Sequence, residues 1–67
     1  MKAYAVQTVD PSGQVETVEV FDGSLGSNPR IEARDYKEEI TELEAEYGNS
    51  VRIVRGIIVD EYFIETL

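Results

Sequence analysis

The stretch Ala3-Tyr4-Ala5-Val6-Gln7-Thr8-Val9-Asp10-Pro11-Ser12-Gly13-Gln14-Val15-Glu16-Thr17-Val18-Glu19-Val20-Phe21 decides how this chain folds. Two runs rich in β-branched and aromatic residues flank Asp10–Gly13. Asp at the first position, Pro at the second and Gly at the fourth are the residues a type I turn prefers, and Gly13 can adopt the left-handed conformation of a bulged loop. The stretch reads as a β-hairpin. If Asp10 faces Gln14, Tyr4 faces Val20, Val6 faces Val18 and Thr8 faces Glu16. The other face then pairs Ala5 with Glu19 and Ala3 with Phe21. The first face is the more apolar, as a core-facing side must be.

Outward from the hairpin, Asp22–Pro29 has loop composition, and Ile31 and Ala33 alternate with Glu32 and Arg34. That alternation suggests a short extended segment leading into a helix. Asp35 with Glu38 resembles a capping box, with Asp in place of Ser or Thr. Tyr36, Ile40, Leu43 and Tyr47 follow at spacings of one helical face, so Ile40 and Leu43 are expected against the sheet. Gly48-Asn49 supplies a stop. An earlier start, with Asn28 as cap and Pro29 at the first helical position, would throw Ile31 about 200° from Ala33 around the axis; the later start is preferred. Residues 51–64 read as strand with a bulge or bend at Gly56. The expected fold is α+β: one small, mainly antiparallel sheet on one helix, in the order β-β-(short β)-α-β, residues 1–67 forming a single domain.

Composition supports a sheet-dominated core, with fourteen Val and Ile against three Leu. Branching at Cβ favours strands. The chain has no Cys, His or Trp. That excludes disulfides, thiolate or imidazole metal ligands and serine–histidine chemistry. Six Lys and Arg against fourteen Asp and Glu give a net charge of −8. Such a balance opposes direct nucleic-acid binding and favours basic partners. No apolar run approaches membrane-spanning length and no leader is evident, so the cytoplasm is the expected compartment.

Three constellations stand out. Asp35, Glu39, Glu42 and Glu46, with Glu38 and Glu44 beside them, form an acidic stripe that contains like-charge pairs at i,i+4. It is either a solvated face or a row of carboxylates offered to a basic partner. Rows of acids can stand in for nucleic-acid phosphates, as in DNA-mimic inhibitors. Asp60-Glu61, with Glu65 nearby, is a smaller cluster that can blunt an edge strand. Gly23-Ser24-Leu25-Gly26 lacks the Lys of a phosphate-binding loop. No EF-hand spacing is present, no cofactor is implied, and Arg52 and Arg55 read as surface ion-pair partners on opposite strand faces. Apolar residues also exceed what one helix can cover: Ala3, Ala5, Val9, Val15, Phe21 and half of Ile57–Ile64 lie on the second side. Either the assumed register is wrong, or the chain curls over itself, or a homodimer or partner covers that side.

These features point to a non-catalytic binding protein, an inhibitor or regulator of a basic, nucleic-acid-binding type of partner protein. A phage anti-defence inhibitor is the example by analogy. Glu38, Glu39, Glu42, Glu46, Asp60 and Glu61 are the candidate partner-binding residues. The alternative is a self-associating structural or accessory subunit that uses its apolar sheet face.

Overall fold

Strand β1 (Lys2–Val9) is central in the computed structural model, which describes residues 2–24 and 26–66. It pairs antiparallel with β2 (Val15–Phe21) on one side and β3 (Ser50–Val59) on the other, and β4 (Tyr62–Glu65) extends the sheet beyond β3. The spatial order is β2-β1-β3-β4, and the helix α1 (Pro29–Glu46) lies across one face. The α+β class read from the sequence holds.

The β1–β2 turn forms as its residues dictate. Gly13 donates to the Asp10 carbonyl at 2.9 Å, and Gly13 sits at φ 89°. The Asp10 carboxylate accepts from Ser12 N, Ser12 Oγ and Gln14 N at 2.6 to 2.9 Å. These bonds hold the Asp10 carboxyl below its ordinary pKa, the Ser12 side chain contributing most. The expected register holds beside this turn, where Val9, Thr8 and Gln7 face Val15, Glu16 and Thr17.

Beyond Gln7 the register shifts by one residue. Val6 faces Glu19, Ala5 faces Val20 and Tyr4 faces Phe21. The expected pairs Tyr4–Val20, Val6–Val18, Ala5–Glu19 and Ala3–Phe21 are therefore corrected. Val18 is the extra residue of a bulge, and a one-residue slip exchanges the two faces of everything that follows. The consequence is physical: Phe21 moves to the helix side, where its ring lies 5.8 Å from that of Tyr36. Without the bulge it would stand on the opposite face beside Ala3.

The helix begins at Pro29. Asn28 caps it, its side-chain oxygen accepting from Arg30 N at 3.0 Å and Ile31 N at 3.4 Å. The extended segment expected over 31–33 is the first turn of α1, and Asp35 lies within the helix. Inclusion of Ala33 changes the packing phase. Ala33 is completely buried, and the half-buried residues Tyr36, Lys37, Ile40 and Glu44 follow it down the sheet-facing side. Its methyl lets the helix approach closely. Ile40 lies on the Ala33 line, whereas Leu43 is rotated roughly 80° from it. Leu43 is 54% exposed, which corrects its expected burial. The helix closes at Gly48, at φ 79°, with Gly48 N donating to the Ala45 carbonyl and Asn49 N to that of Glu44.

β3 pairs with β1 without interruption from Lys2–Ile57 to Val9–Ser50, so Gly56 is not a bulge. It is a point of close approach: a Cβ there would fall 2.5 Å from Phe63 Cζ and against the Ile64 carbonyl. The chain reverses at Asp60-Glu61, with φ 50° and 71°. Positive φ at both positions of a two-residue loop makes a type I′ turn. Residues 51–64 are thus a hairpin, not one strand. Strand alternation puts Tyr4, Val6, Thr8, Val51, Ile53, Arg55 and Phe21 on the helix side. Ala3, Ala5, Gln7, Val20, Val54 and Phe63 fall on the other. Ala3, Ala5, Val6 and Ala33 form the fully buried apolar set among the described residues.

Candidate functional site

Two adjacent rows of side chains run down the outer side of α1. At i,i+4 spacing, Glu38, Glu42 and Glu46 make one, and Asp35, Glu39, Leu43 and Tyr47 the other. All seven are exposed. Leu43 and Tyr47, 54% and 69% exposed, end the second row. The four helical candidates Glu38, Glu39, Glu42 and Glu46 therefore share one continuous surface, with an apolar pair set into it. None of them has an ion-pair partner among the described residues, where the one ion pair is Arg34–Asp35 at 3.6 Å.

The upper part of this surface borders a shallow hollow of about 270 Å³ lined by Phe21, Glu32, Asp35, Tyr36 and Glu39. The tilted Phe21–Tyr36 pair and three acidic residues line it. The geometry exists because the Val18 bulge brings Phe21 to the helix side. Aromatic and carboxylate side chains lining one depression together suit a guanidinium or ammonium group, through the ring quadrupole and charge-assisted hydrogen bonds.

Asp60 and Glu61 do not join this surface. They form the β3–β4 turn, past the Lys2–Ile57 end of the sheet. The helical acids run toward the opposite end, where Gly48 approaches Pro11. The two acid groups singled out from the sequence thus lie on different elements, one on α1 and one on the β3–β4 turn. Among the described residues no group of three carboxylates is arranged to hold a metal ion.

The hairpin carries its own feature. The cross-strand pairs Ile57–Ile64 and Val59–Tyr62 put four apolar residues on one side of the β3–β4 ribbon. Val59, Tyr62 and Ile64 are 44%, 73% and 49% exposed. On the opposite sheet face, Arg52 Nε donates to Gln7 Oε1 at 2.9 Å and Gln7 Nε2 to Thr17 Oγ1 at 3.1 Å. Arg52 therefore has an amide partner, not the expected carboxylate. Arg55 faces the helix side and lines a groove with Tyr4, Asn28, Arg30, Ile31, Arg34 and Ile53. That groove was not foreseen in the sequence. Arg30 and Arg34 are an i,i+4 pair, but they become visible as one only when the helix is started at Pro29.

No family model, curated protein or solved structure matches this chain at a significant level. No helix among the described residues is long and apolar enough to cross a membrane.

Proposed function

We propose that this chain is a non-catalytic binding protein that docks a basic protein partner on the outer side of α1. The observation that carries this reading is the shallow hollow lined by Phe21, Tyr36, Glu32, Asp35 and Glu39, the last two of which belong to the acidic rows. A Lys or Arg side chain of the partner enters it as an anchor. Leu43 and Tyr47 supply the apolar contacts that interface centres require, and Glu38, Glu42 and Glu46 form a charged rim that speeds and orients encounter. A partner whose basic surface otherwise binds nucleic acid is the natural target, because a row of carboxylates can stand in for phosphates. The chain then acts as an inhibitor or regulator, of the kind used against cellular defence systems, and works in the cytoplasm.

Capture from a cell lysate tests the reading. The retained protein is expected to be basic, to elute as salt rises from about 0.1 M to about 1 M, where the screening length falls from about 10 Å to about 3 Å, and to be displaced by duplex DNA. Retention that ignores both salt and DNA would remove the charge-mimic function.

A second reading has its own support. The apolar side of the β3–β4 hairpin, Ile57, Val59, Tyr62 and Ile64, is a surface for self-association. Sedimentation at micromolar concentration distinguishes it: a dimer that Tyr62→Ser converts to monomer supports the accessory-subunit role, and a monomer refutes it.

A further inference from the structure

We propose that the groove at the N-terminal end of α1 binds a diphosphate-bearing small molecule, with its phosphates among Arg30, Arg34 and Arg55 and its planar or apolar body against Tyr4, Ile31 and Ile53. This site meets the acidic surface at the Arg34–Asp35 ion pair, and it does not depend on the reading of that surface.

Charge segregation is the first argument. The chain holds four arginines and two lysines against fourteen acids, yet three of the arginines line this one groove and no acidic residue does. Arg30 and Arg34 are successive-turn neighbours on α1, and Arg55 comes from the strand beneath, directly beside Tyr4 in the sheet. Among the described residues Arg30 and Arg55 have no ion-pair partner, and Arg34 has only the long, exposed contact with Asp35. Three arginines border one space, and of these Arg34 alone has an acidic neighbour among the described residues, Asp35 at 3.6 Å. A bound polyanion supplies the counter-charge. Guanidinium forks match phosphate oxygens in pairs, and three of them exceed what one carboxylate can satisfy.

Shape is the second argument. The groove, open to solvent along one side, spans about 600 Å³, within the usual range for small-molecule sites. Its wall is not wholly polar: Ile31 is 45% exposed beside Ile53 and the Tyr4 ring. The exposure of Ile31, which made an early helix start look wrong, is accounted for if Ile31 is part of a ligand wall. The adjoining space of about 250 Å³ shares Tyr4 and Arg55 and adds Lys2, a fourth cation at the far end. The helix amides are not the donors, since Asn28 already caps Arg30 N and Ile31 N.

The acidic surroundings select a compact ligand over a nucleic-acid strand. A strand leaving the groove would cross a surface of net charge −8, where each further phosphate meets repulsion rather than releasing counterions.

The test titrates the full-length chain with inorganic pyrophosphate and with adenosine diphosphate, following backbone amide NMR shifts. Both probes are expected to saturate shifts at Tyr4, Arg30 and Arg55, the nucleotide at least tenfold more tightly. Arg30→Gln and Arg55→Gln should each weaken both probes at least tenfold while far-UV circular dichroism stays unchanged. Ile31→Ser should cut only the nucleotide's advantage. Absence of saturable shifts for pyrophosphate at millimolar concentration overturns the proposal. So does binding that survives Arg55→Gln. Shifts at these residues that track protein concentration instead of ligand also overturn it, because the groove would then hold the acidic rows of a second copy.

Discussion

Gly56→Ala is expected to meet the tightest contacts of any Gly→Ala change in this chain. The new Cβ would stand 2.5 and 2.6 Å from Phe63 Cζ and Cε1 and closer still to the Ile64 carbonyl oxygen. A ring can rotate away, but a backbone carbonyl moves only with its strand. Here β4 is held by four residue pairings and by the Thr66 N–Arg55 O bond of 2.9 Å. Overpacking of this kind costs about 1–3 kcal/mol, and partial undocking of β4 places Gly56→Ala toward the upper end. A chain of this size has a total stability of roughly 3–10 kcal/mol at the usual per-residue values. Each kcal/mol shifts Tm by about 4–8 °C in so small a domain, so the melting temperature should fall by about 10–20 °C. Thermal and urea denaturation followed by circular dichroism measure this directly. Gly56→Ala should cost less in a Phe63→Ala background, because the ring contact is gone, but still more than nothing, because the carbonyl remains. A melting temperature within about 2 °C of wild type would refute the close packing of β4 on β3.

Further outcomes follow from the corrected elements. Asn28→Ala should cost about 1 kcal/mol through loss of the cap, whereas Asp35→Ala should change stability by less than about 0.5 kcal/mol; chemical denaturation decides between the two helix starts. Ile40→Ala should cost about 1–2 kcal/mol and Leu43→Ala less than about 0.5, since one is half-buried on the Ala33 line and the other faces solvent. Glu61→Gly should raise stability by about 1 kcal/mol by removing a β-carbon from a left-handed position, read as an increase in Tm. The Asp10 carboxyl is held below its ordinary value of 3.8 by its turn hydrogen bonds. Its contribution is therefore present above about pH 4 and is lost as pH falls through the folded-state value. The slope of Tm against pH in acid should be shallower for Asp10→Ala than for wild type.

The hairpin was legible because its turn is written in residues with specific backbone roles, Asp10, Pro11 and Gly13. The bulge was not, because Val18 looks like any other strand residue and the shift is set by what lies above Phe21. Local rules misplaced the helix start: Asn28-Pro29 is a sound cap, but the exposure of Ile31 counted against it as long as every large apolar residue was assumed to be buried. That one choice removed Ala33 from the helix, misphased its inner face and hid the Arg30–Arg34 pair. The β3–β4 turn escaped notice because Asp60-Glu61 lacks the Gly or Asn usual in a type I′ turn. The carboxylates of the outer helix face were readable by spacing alone. The hollow beside them was not, since it unites Glu32, Asp35, Tyr36 and Glu39 with Phe21 across a loop and a bulge. The second apolar sheet side is partly resolved by the chain itself: Ala3 and Ala5 are buried in the central strand, and Phe63 folds over Gly56.

The proposed docking surface on α1 is tested most directly by replacing Glu38, Glu39, Glu42 and Glu46 together with Gln. This change preserves size and most hydrogen-bonding capacity while removing four charges. The fold should be retained or slightly strengthened, because like-charge repulsion at i,i+4 is relieved. Affinity for the captured basic partner, measured by calorimetry at about 0.1 M salt, should fall at least a hundredfold and lose most of its salt dependence. Unchanged affinity in a folded quadruple variant would contradict the account and move the binding surface elsewhere on the molecule.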